Sequence, residues 1–503
     1  MRIETALIAF LLPAAAAAQD PLSVIEWLGE HPQPGSGGVL MEPPVSETAR
    51  QPRIEVSPLA SMPDRIGLVP ADVTGLPETL WQGSDVGDLA DLIAQVPVNG
   101  NAAMQTLLYT LLLTESTPPA TGAGADTLLL ARIDRLLELG ATDPAQALAE
   151  QGQPQQNAAL FRRWFDATLL TGTEDQSCAV MSSAPHLAPG YDARIFCDAR
   201  RGDWQTAALT LETAHALELL PLAQLNLLDR FLSPDVFEDA PPLPAPRNPD
   251  PLTFRLFETI GERLPTASLP RAFATADLRD IAGWKAQIEA AERLARIGAL
   301  APNQLLGLYT ERKPSASGGV WDRVDAVQQF DAALRARVPA AVTAALEPAW
   351  TAMQGAGLDV VFATLFAQDL AAIEFSDVNA RVLAWRVQLL SAAYGAAGTH
   401  VPTDTQTHAF LAALTRGEPG RATAPDALGL AIAEGFSDAS GADAVSPDEP
   451  RLGETLLRAI RDFDRGARGN PTQLSRALST FRAAGLEDTA RRAALQLMLR
   501  ERR

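Results

Sequence analysis

Helical periodicity, broken at glycines and resumed through alanines, sets the narrowest limit on what this chain can fold into. From Trp284 the run WKAQIEAAERLARIGAL places Trp284, Ile288, Ala291, Leu294 and Ala295 on one apolar stripe of period 3.6. Lys285 with Glu289, Glu289 with Arg293, and Glu292 with Arg296 stand four apart, where side chains meet on a helix surface. The opposite face therefore reads as charged and solvated. Val324, Val327, Phe330 and Leu334 repeat the stripe, as do Val378, Val382, Trp385 and Leu389. Alternating strand patterns are nearly absent, so the expected fold class is all-α.

Three stretches follow the order helix, glycine, helix. In the first, YDARIFCDARRG precedes DWQTAALTLETAHALELLP, with Trp204, Ala207, Ala208, Leu211 and Ala214 on one face. In the second, LLLARIDRLLELG precedes DPAQALAEQ, with Asp143 as expected N-cap and Pro144 at the first helical position. In the third, LSRALSTFRAAG precedes EDTARRAALQLMLRERR, with Ala490, Ala493, Ala494 and Leu497 inward. Glycine supplies a left-handed cap and alanine lets paired helices approach closely, which predicts αα-hairpins.

The small residues and the aromatic after Gly-Asp in ARRGDWQTAALTLETAHAL resemble the second helix of a tetratricopeptide-type repeat. No strict period of about 34 residues links the three stretches, so the resemblance implies an irregular α-solenoid of tetratricopeptide-like hairpins. Through RIGLVPADVTGLPETLW and LLGLYTERKPSASGGVWDR the whole chain is also similar to a group of secreted, Ala-rich proteobacterial proteins labelled antifreeze-glycopeptide-related. That label implies sugar-bearing Ala-Ala-Thr-type tracts and a cold-protective role. This chain departs from it, with amphipathic helices, eight Trp and no such tract.

The opening MRIETALIAFLLPAAAAAQD has Arg2, an apolar run from Ala6 to Leu12, then Pro13 and five alanines, the order of a secretory signal peptide cleaved after Ala18. That run is far shorter than the roughly 20 apolar residues of a membrane span, and Met104–Leu113 is interrupted by Gln105, Thr106 and Thr110. The mature chain is expected to be soluble and periplasmic or secreted. Cys178 and Cys197, the only cysteines, are then expected to be bonded, a cross-link contributing about 3 kcal/mol by chain entropy. Two thiols with only His186 between them leave a tetrahedral metal short of ligands.

Proline and glycine divide the rest. Residues 19–84 form an expected extended arm, whose inner part, Asp64 to Trp81, offers Ile66, Leu68, Val69, Val73, Leu76, Leu80 and Trp81 to a groove of the body. A helical lobe over residues 85–239 is followed by the stiff linker 240–252, containing APPLPAPRNPDPL, and a second lobe over 253–415. A loop-rich segment, 416–450, sets apart the terminal hairpin 451–503.

Recognisable catalytic signatures are missing: no G-x-S-x-G, H-E-x-x-H, Walker loop or G-x-G-x-x-G is present. His400, Asp404 and His408 are spaced four apart, but Pro402 breaks the helix that would align them, and no metal or cofactor is assigned. The most unusual stretch is LYTERKPSASGGVWDR. It gathers Tyr309, Arg312, Lys313, Ser317, Gly318, Gly319, Trp321 and Arg323 around a turn feeding a helix from Val320 or Trp321, a candidate binding surface for an anion or a partner's carboxylate. A net charge of −20 argues against nucleic acid or another polyanion as the main partner. The expected function is a non-catalytic periplasmic scaffold or adaptor that binds another protein or an envelope component through a concave helical surface. The alternative is a periplasmic hydrolase of envelope glycan or peptide, with its site between the lobes.

Overall fold

The computed structural model describes residues 65–119, 123–437 and 451–500. The expected signal peptide, the expected outer arm and most of the expected loop-rich segment lie outside the described residues. Twenty-four α-helices and six short 3-10 turns make up the rest, and the extended pairing among the described residues amounts to two isolated bridges, Ile66 to Ser116 and Val69 to Thr114. The fold is all-α. No helix among the described residues is long and apolar enough to cross a membrane.

Local chemistry explains the helix boundaries. Asp85, Asn101, Asn157, Asp203, Asp250, Asp377 and Asn470 each accept a backbone N–H of the first turn they precede. Gly140, Gly202 and Gly485, at φ 85°, 84° and 80°, turn the chain between the paired helices of the three hairpins. Ala207, Ala214, Ala490, Ala493 and Ala494 are fully buried between them. Two details differ from expectation. Trp204 is 52% exposed, leaning on Phe231 at 6.4 Å, and Ala208 is exposed beside it. Asp143 is not the cap, because the Thr142–Gln151 helix begins one residue earlier with Ala141 preceding it.

Cys178 and Cys197 are joined, tying the Glu174–Ser183 helix to the Tyr191–Arg200 helix with Cα atoms 5.0 Å apart. The segment before Trp81 is pinned: Ile66, Leu68, Val69, Leu76, Leu80 and Trp81 are buried, while Val73 faces out. Its anchor is Arg132, buried throughout. That guanidinium donates to the carbonyls of Leu112 at 2.7 Å, Ile66 at 3.0 Å and Thr114 at 3.0 Å.

The Pro-rich stretch does not stand clear of its surroundings. Arg230 donates to the Pro241 carbonyl at 2.7 Å, and the Leu243 N–H donates to Glu262 at 2.8 Å. Beyond it, the Pro251–Thr259 helix packs back on Ala158–Thr171 and Leu222–Leu232. Arg255 from that helix donates to fully buried Glu174 at 2.8 and 3.1 Å, and Arg279 donates to Glu258 at 2.6 Å. These carboxylates lie inside the protein, and so does Glu292, which its four-residue spacing from Arg296 predicts to be on a solvated face. Each is paired, as burial demands.

Packing then closes on itself. The Ala102–Leu113 helix touches Ala123–Leu139, which touches the Arg271–Phe273 turn. From there contacts pass through Ala274–Asp277 to Trp284–Ala295, Pro302–Glu311, Asp359–Ala371, Val378–Leu389, Tyr394–Ala397 and Gln406–Thr415. Gln406–Thr415 meets the terminal helix Glu487–Leu499, and that helix packs on Ala102–Leu113. Backbone bonds seal the seam, from Arg451 N to Gln82 O at 2.7 Å and from Gly453 N to Leu80 O at 2.8 Å.

One buried acid makes stability depend on pH. Asp166, on the Ala158–Thr171 helix, is pushed up to about 7 by burial, with Arg162 opposing and Asp250 adding to the rise. The folded chain therefore binds this proton more tightly than the unfolded chain, whose Asp titrates near 3.8. Stability should fall as pH rises from about 4 to about 7. Asp166→Asn is expected to reduce that slope, to which the raised Asp143, Asp192 and Asp277 also contribute, and to add about 1–3 kcal/mol at pH 8, with less gain at pH 5. Urea melts at the two pH values check this, and an equal shift at both would count against it.

Candidate functional site

The closed path of helices frames a cavity of about 1510 Å³. Asn101 caps the Ala102–Leu113 helix so that Gln105, Thr106 and Tyr109 form one wall. The end of Trp284–Ala295 and the turn after it form a second wall, and the end of Pro339–Gly355 with the start of Asp359–Ala371 forms a third. The terminal helices complete it from the other end of the chain. Asn101 Nδ2 donates to Ala493 O at 3.1 Å, and Ala103 N donates to Gln496 Oε1 at 2.9 Å, so the wall contributed by the C-terminus is locked to the first.

The lining is cationic in an acidic protein. Arg271, Arg293, Arg296, Arg468, Arg492 and Arg500 face two carboxylates, Asp359 and Asp464. Asp464 is tied to Arg468 at 3.0 Å, which removes one pair from the balance. Among the described residues, Arg271, Arg293 and Arg500 form no ion pair. Their N–H groups go instead to backbone: Arg293 to Thr266 O at 2.9 Å and Leu269 O at 2.5 Å, Arg500 to Gly100 O at 2.7 Å, Arg271 to Glu138 O at 3.4 Å. Arg296 donates to Ala356 O at 2.5 Å and lies 3.9 Å from Glu292. Burial lowers the Arg293 guanidinium from its ordinary value, and repulsion from Arg271 and Arg296 lowers it further.

Three buried donors at this cavity are unpaired among the described residues. Tyr109, 3% exposed, has no partner for its hydroxyl, Gln496, 5% exposed, has none for its Nε2, and Arg492 has none for its Nε. Burial raises the Tyr109 hydroxyl well above its ordinary range, with Arg271 and Arg135 opposing. A buried donor left without an acceptor costs about 1–3 kcal/mol. The wall thus combines surplus positive charge with unmatched donors.

The stretch from Tyr309 to Arg323 lies elsewhere and splits into two parts. Tyr309 is fully buried and donates to Glu292 at 2.8 Å, while Arg323 grips the same carboxylate at 2.6 and 2.7 Å. Trp321 is half-buried against Trp284, ring centres 4.9 Å apart. Arg312, Lys313, Ser317, Gly318 and Gly319 are exposed, with Arg312 paired to Glu311 at 2.8 Å. The helix starts at Val320, and the Gly318 N–H donates to the Asp322 side chain at 2.8 Å.

The histidines are dispersed. His215 meets Asp229 at 3.0 Å, His408 meets Thr403 at 2.7 Å with its ring against Trp385, His400 meets Thr399 at 2.6 Å, and His186 is exposed in a short turn. No group of three or more His, Cys, Asp or Glu among the described residues is arranged to hold a metal. Sequence reasoning missed the cavity arginines because they come from separate segments. A signal existed in Gln105 and Thr106, polar interruptions of an otherwise apolar helix, and both line the cavity.

No protein-family model, curated protein or solved structure matches this chain.

Proposed function

We propose that this chain is an exported, non-catalytic helical-repeat scaffold, an irregular solenoid of hairpins, that holds an anionic component of the cell envelope in the cavity joining its two ends. The observation that carries this reading is the lining, six arginines against two aspartates in a chain of net charge −20. Arg296, Arg468 and Arg492 have carboxylates within 4 Å, but Arg271, Arg293 and Arg500 have none among the described residues; such arginines repel one another and are costly to gather, and an anionic occupant offsets that cost. The volume exceeds the roughly 300–1,000 Å³ of a small-molecule pocket, which leaves room for an extended occupant. The bonded cysteine pair is the kind that persists outside the cytosol.

The hydrolase alternative draws less support. The lining residues include no His, Cys or Glu; of the two lining aspartates, Asp464 is held by Arg468 at 3.0 Å, and guanidinium groups do not give up protons as a general acid or base must.

Pyrenetetrasulfonate, a fluorescent polyanion, provides the test. It should bind the full chain at low salt with one saturable site, despite the overall negative charge, and weaken at least tenfold in Arg492→Gln with Arg500→Gln. Fluorescence anisotropy that shows no binding, or equal binding by this variant, would overturn the reading.

A further inference from the structure

We infer that the Arg271, Arg293 and Arg296 end of the cavity is a seat for a phosphate monoester, the charged head of a ligand whose body lies along the Ala102–Leu113 helix toward Arg500. This rests on the anionic cavity proposed above and specifies its ligand.

The three guanidiniums come from two segments, the Arg271–Phe273 turn and the end of the Trp284–Ala295 helix, and all line the same cavity. Each is held by a backbone carbonyl, of Glu138, of Thr266 and Leu269, or of Ala356. A guanidinium carries five N–H donors, so most remain for an occupant, already positioned. The nearest carboxylate is engaged elsewhere: Glu292 is gripped by Arg323 at 2.6 Å and accepts from Tyr309, leaving Arg296 at 3.9 Å.

Charge decides between anions. Of the three clustered cations, only Arg296 has a carboxylate in reach among the described residues, the Glu292 that it shares with Arg323, so a carboxylate ligand with its single charge leaves at least one cation uncompensated. A phosphate monoester brings nearly two, with three acceptor oxygens that match a fork of donors from several directions. A phosphodiester, with one charge and two free oxygens, falls short in the same way as a carboxylate. Arg500 stands beside Gly100, just before the start of a helix along which Ala102 and Tyr109 are about 10 Å apart at 1.5 Å rise per residue, so this second cation lies at the N-terminal end of that wall.

Calorimetry on the full chain at low salt and pH 8 tests this with glycerol phosphate, dimethyl phosphate and glycerate as probes. Glycerol phosphate should bind at least tenfold more tightly than the other two, and its affinity should fall as pH drops through about 6, where the second proton returns. Arg271→Gln with Arg296→Gln should weaken it at least tenfold. Arg271→Lys with Arg296→Lys should retain part of the affinity, which separates loss of the seat from loss of fold. Glycerate or dimethyl phosphate binding as tightly, no glycerol phosphate binding, or an unaffected Gln variant would overturn the phosphate assignment. If pyrenetetrasulfonate still binds in that case, the anionic cavity stands and only its specificity is wrong; if it does not, both fall.

Discussion

Arg132→Met should lower the unfolding free energy by about 3–5 kcal/mol, since a charged donor is removed from three buried carbonyls at once. Those carbonyls belong to Leu112, Ile66 and Thr114. Leu112 lies in the last turn of the Ala102–Leu113 helix, where carbonyls lack intrahelical partners and the helix dipole favours a cation. Burial pushes the guanidinium down to about 10, so it remains charged at neutral pH without any carboxylate partner among the described residues. Methionine fills similar space and replaces none of the three bonds. Arg132→Lys should lie between, because an ammonium carries charge but not the planar fork that reaches three acceptors. Urea melts give the magnitude, and amide exchange over residues 65–69 gives the place, where protection should collapse first. A methionine variant within about 1 kcal/mol of wild type would show that the bonds contribute little net stability.

Gly453→Ala should also destabilise, by about 2–3 kcal/mol, against the usual trend. In a helix, glycine to alanine ordinarily gains about 0.5–1 kcal/mol. Here a Cβ would stand 2.5 Å from two ring carbons of Trp81 and 3.0 Å from the Leu80 carbonyl. Trp81 is fully buried and has no room to swing away. The Leu452–Ala467 helix must then back off, breaking the bonds from Gly453 N to Leu80 O and from Arg451 N to Gln82 O that close the seam. Because the succeeding helices carry Arg492 and Arg500 to the cavity, the same substitution should weaken pyrenetetrasulfonate binding several-fold. Thermal melts and anisotropy read both effects. An unchanged or raised melting point would mean that helix propensity outweighs the clash and that the seam is looser than its contacts.

The amino-acid order alone determined whatever depends on near neighbours in the chain. Ile288, Ala291 and Leu294 face inward because spacing puts them on one side of a helix, and Gly202 and Gly485 turn the chain because a left-handed residue without a Cβ is needed there. The cysteine pair, the hairpin alanines and the pinned run from Ile66 to Trp81 were readable on the same grounds. Only the tertiary structure decided the rest, which turns on meetings between residues of different elements, from 17 to 393 positions apart. Glu292 has the spacing of a solvated carboxylate, yet Tyr309 and Arg323 arrive from later helices and enclose it. Arg132 sits in an ordinary helical pattern and becomes the anchor of a segment more than sixty residues earlier. Arg271, Arg293, Arg492 and Arg500 gather at one cavity only because Gln496 and Ala493 bond to Ala103 and Asn101, joining the end of the chain to its beginning. Helical periodicity records which face of a segment is apolar but not which distant segment covers it, and a negative total charge does not record where the positive charges collect.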